Sequence, residues 1–169
     1  MREIAASTGL SKAGLYYHFK DKEDLFLSVL TRNLENHTKI IRRLNESQGN
    51  SEQKLTQLIL SFLATSSRDR AMGHLAEREI VHVSQEARAH FAKTYHNLFI
   101  QPIVEILKQG HSTGELNCPD PVFACRVFLG ICWPFLMSNG HEFHAPLTST
   151  TAQELVHVFL HGFAKSHTR

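Results

Sequence analysis

The chain has 169 residues, 42% hydrophobic and 20% charged, a composition that excludes a disordered polyelectrolyte and suits a packed core. Its net charge of +2 is too small to announce a nucleic-acid partner by bulk electrostatics, and its three cysteines, an odd number, exclude a complete intrachain disulfide framework. The longest apolar stretch, around Val127–Met137, carries a proline and falls far short of a membrane span, and the start has no basic-then-apolar signal layout, so a cytoplasmic location is expected.

Helical spacing runs through nearly the whole chain and strand patterns are weak, so an all-α fold is expected. Arg2 to about Thr8 reads as a short helix with Ile4 and Ala5 inward, ended by Gly9, which takes a left-handed position without steric cost. Leu10 is expected as a buried plug. Ser11 caps a second short helix, Lys12 to about Phe19, whose inward stripe is Leu15 and Phe19. Asp21 caps a long third helix over about 22–45, with Asp24 imitating a capping box and Leu25, Phe26, Val29, Leu30, Leu34, Ile40, Ile41 and Leu44 as apolar positions.

Residues 48–51 read as a linker, followed by a helix from about Glu52 to Ser67 that carries Leu55, Leu58, Ile59, Phe62 and Leu63. Ala71–Val83 reads as another helix. Ser84 caps the next, about Gln85–Gln109, with a kink at Pro102. A loop from Gly110 to Pro119 leads to Asp120-Pro121, an N-cap acid followed by proline at the first helical position. That helix is expected to reach about Ser138 with a second kink near Pro134. After a loop over Asn139–Thr148, a capping box at Thr151–Glu154 opens the last helix, which ends near Gly162–Lys165.

Cys125 and Cys132 are seven apart on one helix face and read as small core residues, with a redox pair as the alternative; Cys118 stands apart. His157 and His161 have the i, i+4 spacing able to share a metal, but they lie opposite the Leu155–Phe159–Phe163 stripe. His141 and His144 flank Glu142 in a loop. Neither pair comes with a full ligand set, so no metal or cofactor is expected. No phosphate loop, H-E-x-x-H, G-x-S-x-G or paired-carboxylate motif is found, which argues against an enzyme.

The first twenty residues carry the functional signal. Two short helices are joined by a tight glycine-containing turn, the helix-turn-helix connection. The second keeps its start small and polar (Ser11, Lys12, Ala13, Gly14), which lets backbone approach a groove and phosphates. Tyr16, Tyr17, His18 and Lys20 then supply hydroxyls, a ring N–H and an ammonium for phosphate and base contact. Arg2, Lys12 and Lys20 against Glu3 give this stretch a surplus of +2, equal to that of the whole chain.

Residues 2–25 resemble the DNA-binding signature of the TetR family, through Ile4, Ala5, Gly9, Leu10, Ser11, Leu15, Tyr16, His18, Phe19, Lys22 and Leu25 at the family's spacing. The resemblance implies that Ser11, Lys12, Ala13 and Gly14 begin the recognition helix, that Tyr16 faces the groove, that Tyr17 and His18 hold phosphates and that Lys20 anchors the backbone. It implies a helix-turn-helix head with its connecting helix over 1–45 and an effector-binding and dimerisation body over 46–169. The family's pattern has a further helix before the point where this chain starts. Ile4, Leu15 and Phe19 are therefore expected to lose part of their cover, and operator binding is expected to be weaker than in a chain extended upstream.

The same resemblance implies a small-molecule cavity in the body, for which Phe62, Phe91, Tyr95, Phe99, Trp133 and Met137 are the candidate lining. The abundance of phenylalanine favours an apolar or aromatic effector. The last two helices would form a homodimer interface through Phe123, Val127, Phe128, Leu155, Phe159 and Phe163. The function implied is a regulator, expected as a repressor released by its effector from a palindromic double-stranded DNA operator. The alternative is a dimeric ligand- or partner-binding helical module that does not bind DNA.

Overall fold

Side-chain caps decide where most of the helices begin. The computed structural model describes residues 1–65, 67–136 and 148–161, with residues 67–70 as backbone only, and every regular element among them is a helix. The helices are α1 (Arg2–Thr8), α2 (Lys12–His18), α3 (Lys22–Glu46), α4 (Ser51–Leu63), α5 (Ser67–Glu79), α6 (Gln85–Tyr95), α7 (Gln101–Ser112), α8 (Pro121–Leu136) and α9 (Ser149–His161). A 3-10 turn, Ile80–His82, follows α5, and a π turn, His96–Ile100, joins α6 to α7 without a break.

Ser11 Oγ accepts from Gly14 N at 2.9 Å, Asp21 Oδ1 from Asp24 N at 2.8 Å, and Asp120 Oδ1 from Val122 N and Phe123 N at 3.1 and 3.0 Å. The capping box on α3 closes one residue upstream of the expected place, because Asp24 Oδ2 accepts from Lys20 N at 3.0 Å. A reciprocal box that the sequence reading missed opens α4: Asn50 Oδ1 accepts from Gln53 N at 2.9 Å and Gln53 Oε1 accepts from Asn50 N at 3.0 Å. The box expected at Thr151–Glu154 does not form the start of α9. Thr148, three residues earlier, accepts from Thr151 N at 3.2 Å and opens the helix at Ser149. Each such cap is worth about 1 kcal/mol.

The core lies where α3, α4, α7, α8 and α9 meet. Ile41, Leu55, Leu58, Ile59, Ile103, Val104, Ile106, Leu107, Phe128 and Val156 are each no more than 1% exposed. Fully burying a side chain of this size stabilises by about 1.5–3 kcal/mol. Cys125 and Cys132 belong to the same core, and burial pushes both thiols up to about 12, which supports the packing reading over the redox one.

A polar knot ties the α3–α4 turn to the end of α7. Buried Lys54 donates through Nζ to Asn45 O at 3.0 Å and Gln109 Oε1 at 3.1 Å, and Asn45 Nδ2 donates to Pro102 O at 2.9 Å. Glu115 Oε2 accepts from Ser51 N and Ser51 Oγ, both at 2.7 Å, and these bonds hold its carboxyl below the usual range.

Pro102 acts through the π turn just before it. In an uninterrupted α-helix Leu98 O would accept from the N–H of residue 102, which proline lacks. Thr38 on α3, buried, shares its one hydroxyl hydrogen between Leu34 O on its own helix and Leu98 O, while the backbone widens so that Gln101 N bonds His96 O. The irregularity is therefore a π turn, one of the recognised ways a helix absorbs a proline.

Further expectations are corrected. Leu10 is 47% exposed and not a plug: its backbone N–H holds the turn by bonding Ala5 O at 3.1 Å, and its side chain points outward. Leu15 keeps its cover at 3% exposure, while Ile4 and Phe19 are half-buried. Gly110 does not begin a loop; α7 continues to Ser112, and a Cβ at Gly110 would overlap Ser51 Oγ, so glycine is there for close helix approach. The helix α4 also stops at Leu63, short of Ser67, where Thr65 N turns back to Phe62 O at 3.3 Å. Pro146 and the expected helix end at 162–165 lie outside the described residues.

Candidate nucleic-acid interface and ligand cavity

The head is built on one left-handed residue. Gly9, at φ 71° and ψ 11°, ends α1 and sends the chain directly into the Ser11 cap of α2. With Leu15 turned inward, the other side of α2 is presented outward: Ser11, Lys12, Ala13, Tyr16, Tyr17 and His18 are all exposed, Gly14 is half-buried against the Ser11 cap, and Lys20 is exposed just beyond. Tyr17 is 85% exposed and Tyr16 45%. Lys12 Nζ sits 5.8 Å from the centre of the Tyr16 ring, a cation–π spacing, and the Tyr17 and His18 rings meet edge to face at 5.1 Å. All eight residues expected to meet DNA are thus gathered on α2, its N-cap Ser11 and the turn after it. Tyr17, whose one printed ring contact is with neighbouring His18, leaves most of its surface to solvent on this face.

A second feature lies inside the body. A half-open cavity of about 290 Å³ is lined by α3, α4, α5, α6 and α8 with the two turns that flank α6. Phe62, Phe91, Tyr95, Phe99 and Trp133 line it, as the sequence suggested; Met137 lies outside the described residues. Phe62, Phe99 and Tyr95 form a near-parallel stack, with centroid spacings of 5.6 and 5.3 Å. Burial pushes the Tyr95 hydroxyl up to about 12, with Cys125 adding to the shift, so the ring is a neutral phenol at any physiological pH.

Sequence reasoning missed the polar part of the lining. Asn33 and His37 on α3 and Glu77 on α5 face the cavity, along with Leu30, Met72, Gly73, Ala76, Ile80 and Leu129. His37 packs edge-on to Phe62 at 5.3 Å and to Phe99 at 6.3 Å. The signal was present: Leu30, Asn33, Leu34 and His37 fall on one helical face, so two polar residues continue an inward stripe. Glu77 Oε1 accepts from Trp133 Nε1 at 2.8 Å, the hydrogen bond that joins α5 to α8 across the cavity rim.

The candidate dimer residues divide. Phe123 is 64% exposed and Val127 37%, and with exposed Gly130 and Pro134 they form one outward stripe on α8. Phe128 and Leu155, at 1% and 7%, are interior to a single chain, because they face the opposite side, toward α4 and α7. Phe159 is half-buried, edge-on to Phe128 at 5.2 Å. Phe163, His141, Glu142 and His144 lie outside the described residues. His157 and His161 are exposed with rings 4.8 Å apart, and no group of three or more potential metal ligands occurs among the described residues.

Two family models match the chain, one over its head and one over most of its body. Residues 1–29 match the family model for bacterial regulatory proteins of the tetR family, and residues 48–134 match that of the tetracyclin repressor-like C-terminal domain. The HTH-type transcriptional activator FasR of Mycolicibacterium smegmatis is 36% identical over 62 residues, covering 37% of this chain and 28% of FasR, little more than a quarter of that protein's length. The TetR family regulator PfmR from Thermus thermophilus superposes with a TM-score of 0.74 at 19% identity, over 97% of this chain and 88% of that one. AibR, solved in complex with isovaleryl coenzyme A and operator DNA, superposes with a TM-score of 0.67 at 19% identity, over 95% of this chain and 86% of AibR. The second family model alone covers just over half of the 169 residues and the first takes in the whole of α1 and α2, so the chain belongs to the TetR family of bacterial regulatory proteins.

Proposed function

We propose that the chain is a DNA-binding transcriptional regulator, and not an enzyme, that occupies a palindromic operator as a homodimer and leaves it on binding a small, largely apolar effector. The observation that carries this reading is the outward face of α2, where Tyr16, Tyr17, Lys12 and Lys20 stand exposed beside a capped helix start, within the segment matched by the tetR family model. In this reading Ser11, Lys12, Ala13 and Gly14 approach base edges in the major groove with Tyr16. Tyr17, His18 and Lys20 hold the phosphates on either side.

Residues 1–45 then serve as the head and its connecting helix, and residues 46–169 as the body that holds the effector and the partner. The exposed Phe123–Val127 stripe on α8 supports pairing of two bodies. The regulator is read as cytoplasmic, where its operator would be; no described helix is long and apolar enough to cross a membrane. AibR, of the same fold, was captured with both an acyl thioester and operator DNA, which supports pairing a body cavity with a DNA-reading head. FasR is an activator, so the sense of regulation is read from a reporter with the operator placed inside or upstream of the promoter.

The test is selection of bound duplexes from a random pool, followed by mobility shift of the enriched sequence. A two-fold symmetric consensus bound at nanomolar protein is the expected result. A pool that stays random through repeated rounds would contradict the reading.

A further inference from the structure

The cavity is apolar over most of its wall but carries one full carboxylate. Among the described lining residues the ionisable groups are Glu77, His37 and Tyr95, the last a neutral phenol. Glu77 is exposed at the rim, spending one oxygen on Trp133 Nε1 at 2.8 Å. Its neighbour Arg78 turns instead to Glu79, at 4.0 Å. A positively charged or N–H-rich group entering beside Glu77 would therefore meet a carboxylate already oriented by the indole N–H of Trp133. The Tyr95–Phe99–Phe62 stack would receive the rest of the molecule. An anionic head at the same rim would be repelled by the carboxylate.

We propose that the effector class of this cavity is a lipophilic cation, with an apolar body stacked among Phe62, Phe99 and Tyr95 and a protonated amine at Glu77 beside Trp133. This rests on the body cavity being the effector site.

Trp133 is the single tryptophan of the chain, so its fluorescence reports occupancy at this wall. The experiment titrates the full chain at neutral pH with three molecules of matched length: decylammonium, decanol and decanoate. Decylammonium is expected to bind on the order of tenfold tighter than decanoate, with decanol between them. In Glu77→Gln, which keeps an acceptor for Trp133, ammonium and carboxylate should bind within about twofold of each other. Glu79→Gln on the same helix should leave the preference intact. Decanoate binding as tightly as decylammonium overturns the cationic class, and a preference for decylammonium that survives Glu77→Gln overturns the assignment of the amine to Glu77; either result leaves the cavity as effector site. No response of Trp133 to any of the three overturns the effector site itself.

Discussion

Glu23 takes both hydrogens of Ser84: its carboxylate accepts from Ser84 N at 2.7 Å and from Ser84 Oγ at 2.6 Å. Glu23 lies in the first turn of α3, directly after the DNA-reading motif, and Ser84 is the N-cap of α6. Ile80, four residues before Ser84, lines the cavity, and so do Phe91 and Tyr95 further along α6. One short segment therefore touches the cavity at one end and the head at the other.

If this joint transmits occupancy, Glu23→Ala should uncouple the two sites. The response of operator affinity to a bound effector should shrink on the order of fivefold, the scale of ordinary allosteric coupling. Effector affinity measured without DNA should stay near that of the parent. Operator titrations with and without effector check this. A full effector response in the variant would show that the signal takes another route.

Tyr17 and Lys20 are expected to act on the duplex backbone. Tyr17→Ala should weaken binding by a similar factor on every sequence, without loss of stability, because the ring is 85% exposed. Lys20→Ala should lower the slope of log affinity against log salt by about 0.9, the value for one phosphate contact. Fluorescence anisotropy on operator and random duplexes at several salt concentrations gives both numbers. Sequence-selective losses for Tyr17, or an unchanged salt slope for Lys20, would reassign them.

Much of this was legible in the sequence because it is local. Ser11, Asp21, Ser84 and Asp120 cap helices through bonds two or three residues away, so their positions can be read directly. What could not be read depends on distant partners. Gly110 resembles a loop residue until Ser51 is seen against it, and Thr38 is an ordinary helix threonine until Leu98 loses the proline's missing donor. Phe128 and Phe123 look alike in the chain, and only packing separates an interior ring from a surface one. The cavity's aromatics were legible as large side chains on helices, whereas Glu77 became visible only through its bond to Trp133.

Gly110→Ala tests the close approach of α7 to α4. The added Cβ would overlap Ser51 Oγ and lie 2.8 Å from Leu116 Cδ1, and Ser51 is held by Glu115. Relief requires the knot to open, so a loss of about 1–3 kcal/mol is expected, the usual cost of overpacking. Urea denaturation measures it. Gly9→Ala serves as a contrast: nothing lies near its added Cβ, and its cost comes from the positive φ alone.

The buried thiols and phenol are expected to make the fold less stable at alkaline pH. Burial moves Cys125 and Cys132 from 9.0 to about 12 and Tyr95 from 10.0 to about 12. Between pH 9 and 12 the unfolded chain therefore releases protons that the folded chain retains. Stability is unaffected at neutral pH and falls as pH rises through this window, by at most about 1.4 kcal/mol per pH unit for each group. Urea midpoints at about pH 8 and about pH 10.5 give the slope, which Cys132→Ala should flatten. A variant whose alkaline loss equals the parent's would show that Cys132 ionises as it does in water.

Phe123 is the sharpest probe of self-association. Its ring is 64% exposed on α8, in line with Val127, Gly130 and Pro134, whereas Phe128 on the other side of the helix holds the core. A charge at this position therefore meets solvent in the single chain and an apolar surface in a pair. Phe123→Asp should keep its helical content and melting behaviour yet sediment as a monomer at micromolar concentration. Reading both half-sites of a palindrome needs two heads, so its operator affinity should fall toward that for random duplex. Sedimentation velocity on parent and variant decides the matter: a variant that remains dimeric places the partner on another face, and Phe123 would then need a different explanation for its exposure.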